Sequence, residues 1–154
     1  TGLNIAKLIL QHYKNPEHRH SVPTKCGYHE MISVAPFGEM EGKFDTGNGI
    51  LSVLHAEDIK INGKKITFTL QGKTITTDLV KMYKATTGGG VDERPVVELD
   101  VEFMGHSYQF MFGLDDRSDM GTDVLMNRFA MKTMNVMVDP QKKFILTTKQ
   151  GKEK

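Results

Sequence analysis

The sequence predicts an all-β fold, a barrel or sandwich with one short helix towards its C-terminal end. Three observations carry that expectation. From Met31 onward, short apolar or β-branched runs alternate with turn signals rather than with helical segments. Asn62-Gly63 stands between Ile59/Ile61 and Ile66/Phe68, the pattern of a two-residue hairpin. Val97, Leu99, Val101 and Phe103 alternate with Glu98, Asp100 and Glu102, so one face of that strand is expected to be buried and the other wet.

Taken in order, residues 30–35, 39–45, 51–61, 65–70, 73–83, 94–103 and 106–114 have the length and composition of strands. Gln71-Gly72 and Met104-Gly105 mark two further hairpins. Residues 124–134 break the pattern. Val124, Leu125, Arg128, Phe129 and Lys132 fall at helical spacing behind Asp123, a candidate N-cap, and predict a short helix over 124–132. Residues 135–139 and 143–147 return to strand character on either side of Asp139-Pro140. At the other end, Ile5, Leu8 and Ile9 suit one face of a short helix that Asn15-Pro16 would end, followed by an extended arm over 15–28. The expected organisation is therefore an N-terminal arm or short helix (1–29), one β-rich domain (30–147) and a basic tail (148–154).

Composition narrows the function classes. A chain of 154 residues fits one domain with a single core. With 38% hydrophobic and 25% charged residues it is not a disordered polyampholyte, and no apolar run approaches the roughly 20 residues needed to span a bilayer. Lys plus Arg (20) nearly balance Asp plus Glu (19), so no net field draws nucleic acid or an anionic membrane, and neither is expected as a partner. The single cysteine, Cys26, permits no intrachain disulfide and suits a reducing compartment, so the expected location is cytoplasmic. Residues 1–15 lack a basic n-region and a secretory cleavage site, while a first residue other than Met leaves room for a removed leader.

The sharpest chemical signal is the run from Lys43 to Gly49. Asp45 follows the apolar end of a strand and enters a turn with Gly47 and Gly49, which suits a carboxylate held in a crowded, rigid loop. An ordinary Asx-turn leaving a strand has the same local pattern. Three arginines, Arg94, Arg117 and Arg128, are candidates for ion pairs with nearby acids, because a guanidinium fork matches a carboxylate. His18, His20, Cys26 and His29 offer zinc-binding atoms, but their spacing matches no ordinary closed site and there is no His-Glu-x-x-His; no metal and no cofactor is expected. The glycines of residues 85–91 are followed by neither a Lys-Ser/Thr pair nor a helix, so they do not form a phosphate cradle.

An apolar strand running into Asp45-Thr46-Gly47, then Leu54-His55-Ala56, then residues 92–97, Asp116-Arg117-Ser118, Val124 to Arg128 and Val136 to Asp139, resembles the retropepsin-like aspartic proteases. More specifically it is similar to the RimB-like group, historically labelled ATP-dependent zinc proteases, over roughly residues 30–147. The resemblance implies a retropepsin-like closed β-barrel with one short helix. It further implies an aspartic endopeptidase with Asp45 as the catalytic aspartate and Thr46 and Gly47 fixing its loop. It makes residues 85–91 the flap over a peptide or protein substrate, Arg128 a support for the active-site loop and dimer, and His55 a hydrogen-bonding partner behind the site. Hydrolysis by this route needs two carboxylates sharing one proton and a water, and one chain has one such loop, so the expected form is a homodimer with its two-fold axis between two Asp45 residues. Asp115, Asp116 and Asp119 are the alternative second acids within one chain. Two positions depart from the family pattern: Asn48 replaces the usual small residue after the triplet, and Asn127 the usual glycine before Arg128. Two rival readings are an inactive barrel of the same ancestry used for binding or assembly, and a small β-barrel module unrelated to proteolysis.

Overall fold

The computed structural model describes residues 22–149, which form twelve strands and one short helix. The seven-stranded sheet has the order β10-β4-β11-β3-β2-β9-β8: β10 is His106–Asp115, β4 Ser52–His55, β11 Val124–Met126, β3 Gly38–Phe44, β2 His29–Val34, β9 Gly90–Phe103 and β8 Lys81–Thr87. Because β10 also pairs with β9, the ladder returns to its start, and β8 hangs on β9 outside that cycle. A three-stranded sheet of β5 (Glu57–Asn62), β6 (Lys65–Leu70) and β7 (Lys73–Asp78) adds its inner face to the core. β1 (Thr24–Gly27) pairs in parallel with β12 (Val136–Asp139), and α1 (Arg128–Met134) lies between β11 and β12.

Alternation decides which side chains meet inside. Val97, Leu99, Val101 and Phe103 are buried while Glu98, Asp100 and Glu102 are exposed, as the period-two pattern predicts. Ile66, Phe68 and Leu70 do the same on β6. They join Ile32, Val34, Met40, Phe44, Leu54, Phe112, Leu114, Val124 and Met126 in one cluster, closed on one side by Ala130, Met131 and Met134 of α1. Each fully buried side chain of this size contributes about 1.5–3 kcal/mol. Three of the C-terminal methionines (Met126, Met131 and Met134) thus fill core, whereas Met104, Met120 and Met137 are exposed.

Several boundaries differ from those the sequence suggests. Residues 51–61 form two strands in different sheets, β4 and β5, because the Ala56 N–H bonds the Asp115 carbonyl and the chain then leaves through Asp58 at positive φ. Residues 73–83 likewise split into β7 and β8 where Leu79 and Val80 donate to Lys64 and Val96. The helix expected over 124–132 begins later. Val124–Met126 is a strand paired on both sides, to β3 and β4, and Asn127 rather than Asp123 caps α1, its Oδ1 accepting the Ala130 N–H at 2.9 Å. Asn127 is extended, so the site of the missing glycine needs no left-handed conformation.

Residues 143–147 form no strand, because the backbone donors of 145–147 turn instead to one side chain, while the Phe144 N–H bonds the His29 carbonyl. Glu30, fully buried on β2, accepts from the N–H groups of Ile145, Leu146 and Thr147, from the Thr147 hydroxyl and from the Gly27 N–H. Within the segment expected as an extended arm, Thr24–Gly27 is a strand and Cys26 is fully buried. The proposed helix around Ile5, the histidines His18 and His20, and the last five residues of the tail lie outside the described residues.

Candidate active site

The loop of residues 45–51 is assembled from both ends. Phe44 is buried and paired with Met126 of β11, and the Asp45 N–H continues the ladder to the Met126 carbonyl at 3.0 Å. Asp45 then turns the chain on itself: its Oδ1 accepts the Gly47 N–H at 3.0 Å and its carbonyl the Asn48 N–H at 3.1 Å. A Cβ at residue 47 would lie 3.3 Å from that Oδ1, so any larger residue presses on the carboxylate. Thr46 stands exposed beside it. The second half of the loop closes on Asn48, whose Oδ1 accepts the N–H groups of Ile50 (2.9 Å) and Leu51 (3.3 Å) while Nδ2 donates to the Leu51 carbonyl (3.0 Å).

The start of α1 supports this loop from behind. The Arg128 N–H donates to the Asn48 carbonyl at 2.8 Å, and the guanidinium lies along Gly49, where a Cβ would come within 3.0 Å of Cζ. Arg128 therefore supports the loop through its backbone and its flat head. Buried Ser52 accepts the Asn127 N–H at 3.1 Å, tying the end of the loop to the helix cap.

A second cluster sits at the far end of β4. Buried His55 accepts the Arg117 N–H on Nδ1 at 2.8 Å, so the ring proton falls on Nε2, 2.9 Å from Glu57 Oε2. The Arg117 side chain bonds the Thr122 carbonyl and hydroxyl at 3.0 and 3.1 Å rather than forming the expected carboxylate pair, and burial pushes its pKa below the ordinary value. The Ser118 hydroxyl and N–H hold the Asp116 carboxyl below its usual range. Asp115 pairs with Arg94 at 3.2 Å. This cluster braces the 115–123 turn, and none of Asp115, Asp116 or Asp119 sits in a Thr-Gly loop.

The glycine-rich segment becomes the tip of a long hairpin. β8 and β9 stay paired out to Thr87 and Gly90, whereas pairing of β9 with β10 stops at Val96 and Gly113. Residues 90–95 therefore extend beyond the ladder with β10. Gly113 is the joint: a Cβ there would lie 2.7 Å from Leu51 Cδ2 and 3.8 Å from Arg94 Cδ, so the Asp45 loop and the hairpin stem meet over it. Nothing local marks Asn48 or Glu30 for these parts, and a glycine within the apolar run from Phe110 to Leu114 is the one signal by which such a close approach could be found.

Of the potential zinc atoms that are described, His29 Nδ1 bonds Glu41 at 2.6 Å, and burial pushes the Cys26 thiol up to about 12. A thiol so placed is protonated and inert near neutral pH.

The family described as RimB-like, retropepsin-like aspartic endopeptidase RimB, matches residues 26–149. The chain belongs to the RimB-like family. A crystal structure of a Legionella pneumophila protein of unknown function is similar to it with a TM-score of 0.67 and 25% identity, covering 79% of this chain and 97% of that one. No curated protein matches the chain. The RimB-like match spans the Asp45 loop, the His55 cluster, the hairpin and α1 together, and it begins inside β1.

Among the described residues no helix is long and apolar enough to cross a membrane.

Proposed function

We propose that this RimB-like chain is an aspartic endopeptidase that works as a homodimer, with Asp45 of each copy forming the catalytic pair. The observation that carries the reading is the Asp45 carboxylate held by the Gly47 N–H in a loop bonded to β11 and α1, one such loop per chain. The returning ladder β10-β4-β11-β3-β2-β9 supports a retropepsin-like closed barrel with this loop at its rim. The exposed Thr46 hydroxyl, next to the proposed two-fold axis, is available to bond the second copy. A peptide in extended form would lie between the loop and the β8/β9 hairpin, which serves as the flap. A reducing, cytoplasmic setting would suit the single buried thiol of Cys26.

The chemistry then follows from two carboxylates sharing one proton. Like charges a few Å apart do not both ionise, so the pair titrates as a unit and holds one proton at working pH. The ionised Asp45 takes a proton from the shared water as its oxygen attacks the scissile carbonyl carbon. The protonated partner hydrogen-bonds to the carbonyl oxygen and stabilises the tetrahedral intermediate. Collapse breaks the C–N bond, and the first carboxyl returns its proton to the leaving amine. The Gly47 N–H fixes Asp45 for this exchange, and no metal or cofactor enters.

Asp45→Asn tests the reading. The amide keeps the shape but cannot accept the water proton, so peptide cleavage is expected to fall by roughly 10²-fold or more while the thermal melt is retained. Sedimentation at assay concentration is expected to show a dimer. Equal cleavage by variant and parent, or a fully active monomer, would refute the proposal; a folded dimer that cleaves no peptide would instead favour the inactive binding barrel.

A further inference from the structure

The loop that carries Asp45 consists of two turns in series, and only the first belongs to the Asp-Thr-Gly triplet. Asp45 Oδ1 closes the first by accepting the N–H two residues on. Asn48 Oδ1 closes the second in the same way, accepting from Ile50 and also from Leu51. The amide orientation follows from its partners, since Oδ1 faces two N–H groups and Nδ2 faces the Leu51 carbonyl. Through its own backbone, Asn48 donates to the Asp45 carbonyl and accepts from Arg128. One half-buried residue thus takes part in five bonds that join the aspartate, the helix start and the loop's exit.

The exit matters because Leu51 rests on Gly113 beside the Arg94 methylenes, where the flap stem leaves the sheet. A change in the second turn moves Leu51 against that joint and shifts Asp45 through the shared Asn48 backbone. We infer that Asn48 is a positioning residue that sets the reach of the Asp45 carboxylate and couples its loop to the stem of the β8/β9 hairpin. The inference rests on the peptidase reading above for its kinetic part and on geometry alone for its structural part. Asn48 touches no reacting atom, so its contribution is expected in kcat rather than in KM. A misplacement of about 1 Å in a catalytic group costs on the order of 10²-fold.

The test uses two variants, with the full chain as parent. In Asn48→Ala, the Ile50 and Leu51 amides lose their acceptor and are expected to exchange at least about 10-fold faster with solvent deuterium. For the same variant kcat is expected to fall about 10- to 100-fold with KM within about threefold of the parent. Asn48→Asp keeps the acceptor and therefore the protection of both amides. It also sets a carboxylate oxygen against the Leu51 carbonyl and a charge near Asp45. Its kcat relative to the parent is expected to rise as pH falls, because the introduced carboxyl, once protonated, again donates to Leu51. A purely structural role would not produce that pH-dependent ratio.

Unchanged amide exchange in Asn48→Ala would overturn the loop architecture. Faster exchange with unchanged kcat, or a flat pH ratio for Asn48→Asp, would overturn the positioning role. Should Asn48→Ala fail to fold, Asn48→Asp alone decides through its pH ratio. A parent chain without peptidase activity refutes the proposed function and the kinetic half of this inference, whereas the exchange measurement still decides the structural half.

Discussion

Replacing Glu30 with alanine should be the most damaging single change outside the apolar core. The side chain is 0% exposed, and its two oxygens gather five donors. Oε2 takes the N–H groups of Gly27 (2.6 Å), Ile145 (2.9 Å) and Leu146 (3.1 Å), while Oε1 takes the N–H (3.0 Å) and hydroxyl (2.7 Å) of Thr147. The Thr147 hydroxyl oxygen in turn accepts the Met31 N–H at 2.8 Å. Without the carboxylate, the buried Gly27 donor keeps no partner, and the half-buried donors of 145–147 must find water. Hydrogen bonds to a charged group are worth about 1.5–3 kcal/mol each, and a buried donor left alone costs about 1–3 kcal/mol. Counting the Gly27 donor in full and the solvent-accessible ones only partly gives about 3–5 kcal/mol for Glu30→Ala. At about 2–4 °C per kcal/mol for a chain of this size, Tm should fall by roughly 10 °C. Glu30→Gln keeps one acceptor but turns the other towards N–H donors, so about half that loss is expected. With no tryptophan in the chain, urea unfolding is followed by circular dichroism, and exchange at residues 145–147 reports the segment directly. A Glu30→Ala variant within about 0.5 kcal/mol of the parent, with residues 145–147 still protected, would refute this account of what fixes the C-terminal segment.

Two further perturbations read other parts of the fold. Gly90, at the hairpin tip, has φ of 127°, where a side chain is strained, whereas a Cβ at Gly88 meets open space. Gly90→Ala should alter kcat or KM several-fold with little change in melting, and Gly88→Ala should match the parent; equal kinetics for both, in a peptidase assay, would remove the tip from the flap role. Burial acts to raise the Glu41 carboxyl, but its bonds to His29 and Lys149 outweigh that and hold it below the ordinary 4.5. A depressed carboxyl supplies stability that is complete above the unfolded value and is lost as pH falls through the folded one. The stability difference between parent and Glu41→Gln should therefore be largest near neutral pH, about 1 kcal/mol, and shrink below about pH 4.5, as urea titrations across that range would show.

What the sequence made legible is what acts over a few residues. The hairpin turns at Gln71-Gly72 and Met104-Gly105, the alternation of β9, and the Asp45 turn all depend on neighbours in the chain and match the structure, while the hairpin expected at Asn62-Gly63 forms one residue later, Asn62 pairing with Lys65 around Gly63-Lys64. Misreadings fall where a distant segment decides. Val124-Leu125-Met126 fits a helix by spacing but becomes a strand because β3 and β4 both offer it a ladder. Residues 143–147 look like a strand, yet the donors of 145–147 serve a carboxylate up to 117 positions away. Nothing local at Glu30 announces five donors, and a glutamate between His29 and Met31 reads as an exposed strand residue. Asn48 was visible only as a departure from a family pattern; most of its bonds are local, to Asp45, Ile50 and Leu51, but the tie of its carbonyl to the Arg128 N–H depends on where α1 begins.

These long-range ties bear on the proposal that Asp45 is one half of a shared site. A catalytic carboxylate must be held to within about 0.5 Å, and a loop free to choose its shape would have to be ordered at each association. Here the bonds that fix Asp45 come from its own chain: Gly47 and Asn48 within the loop, Met126 on β11 and Arg128 on α1. The ordering entropy of the loop is thus met during folding, so in the proposed homodimer the binding of a second copy need only align two finished loops. Coupling through Leu51 and Gly113 extends the same logic to the hairpin. Its stem is anchored to Asp115 by Arg94, leaving adjustment to the glycine tip, where a Cβ at Gly88 or Gly90 would meet nothing within 4 Å. A rigid carboxylate loop beside a locally adjustable hairpin is a division of labour that suits the peptide cleavage proposed above.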